Sequence, residues 1–253
     1  MLPYFYLILH EDLCNRHFFR TTNKTEQNDV ENERKTFVID DMLAEEFETY
    51  MKNHPQLYQS LAQRTREHLP TTTKKPAIVD LGAGPGLLAL ELAKRMPRAT
   101  IFEIDSSLVM LKRALKNAVT EGCRRCHPVV AQGENLPLRS HSIDIVVSRL
   151  SLSTWGHPQE GFKELCRVMK PGGKIFLETL NKEFPRWKRW LTKLQMRLKG
   201  AGKKVIRYHD DSYDQAFSIT HVEQLFIKSG FTIVAKEGKP TDWKFLIIAE
   251  KHK

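Results

Sequence analysis

The segment Val79-Asp80-Leu81-Gly82-Ala83-Gly84-Pro85-Gly86 is the stretch on which the predicted fold depends. It ends the apolar run 77–81 (AIVDL), which predicts a buried strand, and it leads into a helical pattern over 87–96. Glycines permit a tight turn and let a ligand approach the backbone closely. A glycine-rich turn between a strand and a helix is typical of folds that bind a ligand at the carboxyl ends of parallel strands.

The glycine spacing and the neighbouring acids indicate what kind of ligand this turn suits. The pattern is Gly-x-Gly-x-Gly, whereas dinucleotide-binding proteins have Gly-x-Gly-x-x-Gly. Asp80 precedes the glycines, and its negative charge would attract a cationic ligand and repel a pyrophosphate. Asp105 ends the next apolar run, where a carboxylate can accept hydrogen bonds from both hydroxyls of a ribose. That second feature is shared with nicotinamide-binding proteins, so it does not discriminate alone.

Strand and helix patterns alternate after this turn, which predicts an α/β fold with a parallel sheet covered by helices on both faces. A helical pattern over 40–69 comes first. The last two predicted strands are joined by a short loop, so they must be antiparallel. The predicted strands are 77–81, 100–105, 129–132, 143–150, 174–179, 232–237 and 245–250, and the later predicted helices are 87–96, 106–120, 159–169 and 220–229.

Four stretches, taken in order, resemble the class I S-adenosylmethionine-dependent methyltransferases. The resemblance is strongest to the small-molecule branch that contains the ubiquinone/menaquinone C-methyltransferases. It implies a Rossmann-like, seven-stranded, mostly parallel sheet that ends in an antiparallel strand pair. The four stretches are VDLGAGPG (79–86), IFEIDSSLVMLKRA (101–114), AQGENLPLRSHSIDIVVSRLSLSTW (131–155) and ELCRVMKPGGKIFLE (164–178).

The resemblance implies S-adenosyl-L-methionine as cofactor and a binding set at the ends of several predicted strands. The glycine loop would face the methionine part, and Asp105 would hold the ribose, with Ile104 and Ser106 beside the adenine. The pair 132–133 would contact adenine, although the family often has Asp or Asn where this chain has Gln132. The implied set is Asp80, Gly82, Ala83, Gly84, Gly86, Asp105, Ser106, Gln132, Gly133, Ser148 and Arg149.

The resemblance also implies methyl transfer by in-line displacement, because a sulfonium makes the methyl group electrophilic. A general base is needed only if the acceptor atom must lose a proton. The candidate base is His157, which is otherwise the residue that starts a helix before Pro158. Trp155 is either a pocket wall or a core residue. The positions of Tyr208, His209 and Tyr213 suggest that they line the acceptor pocket.

No metal site is predicted. Cys123, Cys126 and His127 match the spacing of a c-type haem attachment motif. Haem attachment would require export, and no convincing export signal is present. A structural zinc site needs four ligands, and no second ligand pair is nearby. These cysteines are therefore expected to be surface or half-buried thiols.

Composition and charge narrow the classes of protein further. The chain of 253 residues is 41% hydrophobic and 28% charged, which favours a globular core over disorder. The formal net charge is +10, and the nine basic residues and one acid of segment 182–204 account for +8 of it. A uniformly basic coat for nucleic acid is therefore disfavoured, and one local basic surface is favoured.

The basic segment 182–204 is predicted to contain an amphipathic helix, with three interpretations open. The helix can be docked by its apolar side and cover the pocket, with its basic side in solvent. It can make a peripheral membrane contact through 184–204. It can also contact RNA or another polyanion. The recurring apolar residues are Phe184, Trp187, Trp190, Leu191, Leu194 and Leu198.

The predicted function is S-adenosylmethionine-dependent methyl transfer to a small-molecule acceptor, aromatic or lipid-like. The alternatives are an RNA or protein methyltransferase and a non-catalytic S-adenosylmethionine-binding protein. The predicted organisation is an N-terminal extension at 1–36, partly flexible, and a single class I methyltransferase domain at 37–253 with core motifs at 77–180. The predicted location is cytoplasmic, at a membrane surface if 184–204 makes that contact, and the oligomeric state is not predicted.

Overall fold

A computed structural model describes residues 37–69 and 74–252. The predictions for the extension 1–36 fall outside these described residues. The elements, in chain order, are α1 (Asp41–Lys52), α2 (Gln56–Glu67), β1 (Ala77–Leu81), α3 (Leu87–Arg95), β2 (Thr100–Asp105), α4 (Leu108–Thr120), β3 (Cys126–Val130), β4 (Ile143–Arg149), α5 (Pro158–Val168), β5 (Met169–Leu180), α6 (Arg186–Leu198), α7 (Lys203–Asp214), α8 (Ile219–Lys228), β6 (Phe231–Glu237) and β7 (Lys244–Lys251).

The seven strands form one sheet in the order β3-β2-β1-β4-β5-β7-β6, which confirms the predicted fold class. The first five strands pair in parallel, and β7 pairs antiparallel with both β5 and β6. The chain runs outward from β1 to β3 and then returns to place β4 on the other side of β1. The strand order therefore reverses between β1 and β4, where open α/β sheets bind their ligands.

Helices cover both faces of the sheet, as the alternation predicted. Successive residues of β1 point to opposite faces, and all five are buried. Val79 belongs to a cluster with Phe162 of α5 and Phe226 of α8. Ile78 belongs to a second cluster with Leu92 of α3. Burial on both faces explains why the central strands read as continuous apolar runs.

Two predicted strand boundaries were wrong. β3 covers Cys126–Val130, so it begins three residues before the predicted 129–132 and includes Pro128. β3 lies at the edge of the sheet, where a proline without an N–H is tolerated. β5 starts at Met169, five residues before the predicted start, because the pairing with β4 begins at Ile143 and then shifts register.

The segment after β5 contains two helices, not the single predicted one. α6 ends where Gly200 takes a positive φ of +85°. The N–H of Ala201 donates to the carbonyl of Met196 at 2.9 Å, and the N–H of Gly200 donates to that of Arg197 at 3.1 Å. This pair of bonds is a Schellman cap, and it turns the chain into α7.

The apolar side of α6 is not docked on the described part of the domain. Trp187, Trp190 and Leu198 are respectively 64%, 61% and 79% exposed. The interpretation of a helix docked by its apolar side is therefore wrong for these three residues, whereas Phe184 is buried and Met196 lines a cavity, as the interpretation of a pocket cover expected. No helix among them is long and apolar enough to cross a lipid bilayer.

Asn181 closes the carboxyl end of β5 and should contribute measurably to stability. It is fully buried, and its Nδ2 donates to the carbonyls of Pro240 and Asp242 at 2.8 and 3.1 Å. Asn181→Ala would remove both hydrogen bonds, each worth about 0.5–1.5 kcal/mol, so we expect the free energy of unfolding to fall by about 1–3 kcal/mol. Urea unfolding measures this loss. The control Thr241→Ala, at an exposed position of the same loop, should stay within about 0.5 kcal/mol. Equal losses in the two variants would contradict the assignment.

Candidate functional site

A cavity of about 590 Å³ lies at the carboxyl ends of β1, β2 and β4, where the strand order reverses. Residues of α1, α2, α6 and α7 form its remaining walls. Small-molecule sites commonly have volumes of roughly 300–1,000 Å³. The cavity is therefore of a size that suits a small-molecule site.

Two glycines let the loop after β1 pack closely against its neighbours. Gly82 has a φ of +75°, and a Cβ there would lie 2.2 Å from Cβ of Ser151. Gly86 has a φ of +77°, and a Cβ there would lie 2.2 Å from Oε1 of Glu103. Gly82 lines the cavity, whereas Gly86 does not. Any side chain at these two positions would push the loop out of place.

The carboxylate of Asp105 joins the glycine loop to the end of β2. Its Oδ2 accepts the N–H of Gly84 at 2.9 Å, and its Oδ1 accepts the N–H of Ser107 at 2.8 Å. Burial raises the pKa of Asp105, while these two hydrogen bonds act in the opposite direction. Asp105, Ile104 and Ser106 line the cavity. Each carboxylate oxygen has further lone pairs, so Asp105 can also accept hydrogen bonds from a ligand.

Asp80 is a buried acid that faces the cavity, with 1% of its surface exposed. Its Oδ2 has no hydrogen-bond partner among the described residues. Burial, together with the nearby charge of Asp105, raises the pKa of Asp80 to about 7. Because a positive ligand would stabilise the ionised form, this wall of the cavity is suited to a cation.

The adjacent wall comes from the residues that follow β3. Gln132 lies at the exposed rim of the cavity, and Gly133 is buried deeper in the wall. A Cβ at Gly133 would lie 3.6 Å from Leu81 and Trp155, which is ordinary contact. Both predicted residues of this pair therefore line the same cavity as the glycine loop.

The end of β4 contributes one lining residue and one supporting residue. Arg149 lines the cavity, and its Nε lies 2.9 Å from Oε1 of Glu178, which also contacts Lys244. Ser148 is fully buried and is not among the lining residues. Its Oγ lies 2.7 Å from Oγ of Ser151, so Ser148 supports the cavity wall from beneath.

His157 and Trp155 lie on the same side of the cavity but in different surroundings. His157 is exposed at the N-cap of α5, and its N–H donates to Oε1 of Glu134 at 2.8 Å. Trp155 is 6% exposed, lines the cavity, and donates from Nε1 to Oγ of Ser151 at 3.2 Å. Trp155 is therefore both a pocket wall and a core residue.

Helix α7 contributes Tyr208 and His209 to the cavity, as their positions suggested. Burial lowers the pKa of His209 to about 4, so its imidazole is neutral near pH 7. The prediction for Tyr213 was wrong, because its ring is 2% exposed and does not line the cavity. Tyr213 stacks on Phe184 and donates from its hydroxyl to the carbonyl of Trp243 at 3.2 Å.

The sequence did not indicate several of the residues that line the cavity. Phe47 and Tyr50 of α1, Tyr58 of α2, and Gln195 and Met196 of α6 all line the cavity. The helical pattern over 40–69 was recognised, but periodicity alone gives no indication that a helix closes a pocket built from strands far along the chain.

The cysteine motif remains outside this cavity. Cys123 is half-buried and Cys126 is buried, and their sulfurs lie 2.8 Å apart. No group of three His, Cys, Asp or Glu side chains suited to a metal ion is found among residues 37–69 and 74–252.

Comparison with known proteins supports the same class. Residues 79–177 match a family model described as a methyltransferase domain. Malonyl-(acyl-carrier protein) O-methyltransferase of Marinomonas sp. (strain MWYL1) is 36% identical over 104 residues, which cover 41% of this chain and 38% of that protein. Demethylmenaquinone methyltransferase of Chlamydia pneumoniae is 28% identical over 180 residues, which cover 66% of this chain and 77% of that protein.

A solved structure agrees over most of the chain. A candidate S-adenosyl-L-methionine-dependent methyltransferase of Methanococcus maripaludis has a TM-score of 0.63 and 25% identity, covering 89% of this chain and 98% of its own. The match to the malonyl-(acyl-carrier protein) O-methyltransferase of Marinomonas sp., in contrast, spans only 38% of that protein's length. The resemblance to class I S-adenosylmethionine-dependent methyltransferases is confirmed.

Asp80 should make the stability of the ligand-free protein depend on pH. Its folded pKa, about 7, lies above its ordinary value of 3.8, so the folded state binds more protons between these values and loses stability as pH rises through them. Asp80→Asn removes this ionisation. We expect the variant to be more stable than the unsubstituted protein by at least about 1 kcal/mol at pH 8, with the difference shrinking towards pH 4.

Urea unfolding of both proteins at several pH values measures this difference. The control is Asp144→Asn, whose carboxylate accepts the N–H of Ala77 and pairs with Lys170 at 2.7 Å. That variant should gain no stability at high pH. An Asp80→Asn protein with the same pH dependence as the unsubstituted protein would contradict the assignment.

Proposed function

We propose that this protein, in which residues 79–177 match a methyltransferase domain, transfers a methyl group from S-adenosyl-L-methionine to a small-molecule acceptor. The observation that carries the proposal is the single cavity in which the glycine loop, Asp80 and Asp105 meet. The cavity would then hold the cofactor at this end and the acceptor at the end formed by α6 and α7.

The residues around the glycine loop fit a cationic, ribose-containing cofactor. Asp80 offers a buried carboxylate oxygen that lacks a partner among the described residues. A Cβ at Gly84 would meet nothing closer than 3.9 Å, so the cavity is open beside this backbone. We assign the methionine part to Asp80 and the segment 82–85, and the ribose to Asp105.

The remaining wall residues complete the proposed cofactor site. Adenine would lie against Ile104 and Ser106 on one side and Gln132 and Gly133 on the other. The family often has Asp or Asn at this position. The Gln132 side chain can donate and accept hydrogen bonds as Asn does, whereas an ionised Asp only accepts them. Arg149 is held by its ion pair with Glu178, and would form the floor near the methyl group.

S-adenosylmethionine, when bound, supplies an electrophilic methyl carbon that is displaced in line from a sulfonium sulfur. The contribution of the protein is to hold the acceptor on the axis of that displacement and to exclude water. The buried hydrogen-bond group of Ser148, Ser151 and Trp155 keeps this part of the wall rigid.

The acceptor end of the cavity is aromatic, which supports an aromatic or lipid-like acceptor. His209 and Trp243 line it, with ring centroids 6.2 Å apart. One relative is named for demethylmenaquinone and another for malonyl-(acyl-carrier protein). For this chain the aromatic wall favours the first kind of acceptor.

His209 replaces His157 as the candidate base in this proposal. Its imidazole lines the cavity and is neutral near pH 7, the form that can accept a proton, while a pKa lowered by burial to about 4 makes it a weak base. His157 lies at the exposed rim, where its backbone N–H is engaged by Glu134. A base is required only if the acceptor atom loses a proton.

The surroundings of the cavity complete the proposal. We assign residues 37–253 to a single methyltransferase domain, and segment 184–204 to a peripheral membrane contact. That segment has no acidic residue, which suits an anionic lipid surface.

Calorimetric titration with S-adenosylmethionine, S-adenosylhomocysteine and NADH tests the proposed function. We expect binding of both adenosyl ligands and no binding of NADH. A screen of quinol-like phenols, read out as release of S-adenosylhomocysteine, would then identify the acceptor. Binding of NADH alone would overturn the proposal.

Asp105→Ala tests the proposed ribose contact. Charge-assisted hydrogen bonds would be lost, so we expect the affinity for S-adenosylmethionine to fall by about 1–3 kcal/mol, or roughly 5- to 150-fold. Asp144→Ala is the matched control, because Asp144 also accepts a backbone N–H, from Ala77 at 2.9 Å, but lies at the amino-terminal end of β4, away from the cavity. An unchanged affinity in Asp105→Ala, or an equal loss in the control, would refute the placement of the ribose.

A further inference from the structure

One side of α6 exposes five apolar residues, here called the α6 stripe. They occur at spacings of three, four, seven and eleven from the first, which places them on one side of a helix. Leu191 and Leu194 are respectively 39% and 43% exposed, and the other three are more exposed than these two. The α6 stripe consists of Trp187, Trp190, Leu191, Leu194 and Leu198.

The opposite side of α6 forms part of the cavity wall. Thr192, Gln195 and Met196 line the cavity. Met196 is buried against Leu43 of α1 and Val205 of α7. A single helix therefore separates the cavity from the exterior, with its apolar stripe turned outward.

Basic residues flank the α6 stripe. Arg186 and Arg197 lie along one edge, and Lys188 and Lys199 lie along the other, given the helical spacing. Arg186, Arg197 and Lys199 are exposed. The absence of any acidic residue from 184–204 leaves this surface strongly positive.

Two other basic residues of α6 hold the helix on the domain. Arg189 lies 3.3 Å from Asp214, and Lys193 lies 3.0 Å from Asp210, both on α7. The positive charges of the helix are thus divided between those paired with α7 and those beside the stripe. The ion pairs fix α6 in the orientation that turns the stripe outward.

We propose that the α6 stripe docks on an anionic lipid bilayer, and that the acceptor passes from the bilayer into the cavity alongside α6. The second part rests on the proposed function. Tryptophan and leucine side chains insert at the level of the lipid headgroups, while flanking lysines and arginines contact anionic lipids. This combination favours a bilayer over a polyanion such as RNA, because the phosphate backbone offers nothing to exposed leucines.

The position of α6 links docking to the acceptor. Because the helix is both the docked surface and a wall of the cavity, an apolar acceptor would cross only the thickness of this wall between lipid and cavity. An acceptor dissolved in the bilayer would then not need to enter water. The aromatic residues at this end of the cavity suit such a compound.

Vesicle flotation of the full chain tests the docking. We expect binding to vesicles of phosphatidylcholine with about 30% phosphatidylserine, and at least about tenfold weaker binding to phosphatidylcholine alone. Leu194→Glu/Leu198→Glu should reduce binding to the anionic vesicles at least about tenfold. The matched control Val119→Glu/Ile227→Glu introduces the same charges at apolar sites 68% and 62% exposed on α4 and α8, and should keep its binding.

Tryptophan quenching gives a second, independent readout. Trp187 and Trp190 are exposed, whereas Trp155 is buried. Brominated lipids in the anionic vesicles should quench the fluorescence of the protein, and Trp187→Phe/Trp190→Phe should lose most of this quenching. Binding without quenching would overturn the proposed orientation.

The outcomes separate this inference from the proposed function. If the protein binds S-adenosylmethionine in calorimetry but not anionic vesicles, the docking is wrong and the proposed function stands. If it binds vesicles but no adenosyl ligand, the proposed function fails and the entry of the acceptor falls with it. Equal loss of vesicle binding in the control variant would also overturn the docking. So would a protein that does not bind vesicles but forms a dimer that only the α6 variant dissociates.

Discussion

The Asp105 carboxylate makes the contacts on which the candidate site depends. Its two oxygens accept N–H groups from Gly84 and Ser107, which lie in different connections of the sheet. One bond fixes the loop after β1, and the other fixes the start of α4. Two neighbouring strands are thereby linked at their carboxyl ends, beside a loop whose glycines take positive φ angles that this residue adopts readily.

This arrangement places three acids close together in the interior. Asp80, Glu103 and Asp105 all have raised pKa values, and burial is the first cause in each case. Unpaired buried carboxylates oppose folding, so they persist where a ligand or a neighbouring group compensates for them. The glycine loop therefore combines two features that suit the same kind of ligand, an open backbone and nearby buried acids whose ionised forms a positive ligand would stabilise.

The sequence predicted the central sheet well, because its strands are apolar on both faces and its turns carry distinctive residues. It predicted β3 poorly, since Pro128 is compatible with a strand only at an edge, and edge position is a property of the whole sheet. Because several predicted site residues follow the central strands, the sequence indicated that they would meet at one cavity. Ser148 and Gly86 fell just behind the wall, because a motif specifies proximity without specifying which side chains reach the surface.

The helical walls of the cavity were harder to predict. α7 has a polar sequence and buries Val205, Ser212 and Tyr213, so its pattern is weak. Tyr213 and Tyr208 lie five residues apart, which turns their rings in different directions on a helix. The outward orientation of the α6 stripe could not be read from its periodicity, because an amphipathic pattern does not reveal whether its apolar side has a partner.

The exposed stripe on α6 also affects how the protein behaves when no bilayer is present. Contiguous apolar surface promotes self-association, and a net charge of +10 opposes it by mutual repulsion between molecules. Salt screens that repulsion, which decays within about 10 Å at 0.1 M salt, whereas the attraction between apolar patches does not depend on the charges. The colloidal stability of the isolated protein therefore rests on its charge, and neutralising polyanions or concentrated salt would bring the stripes of different molecules together.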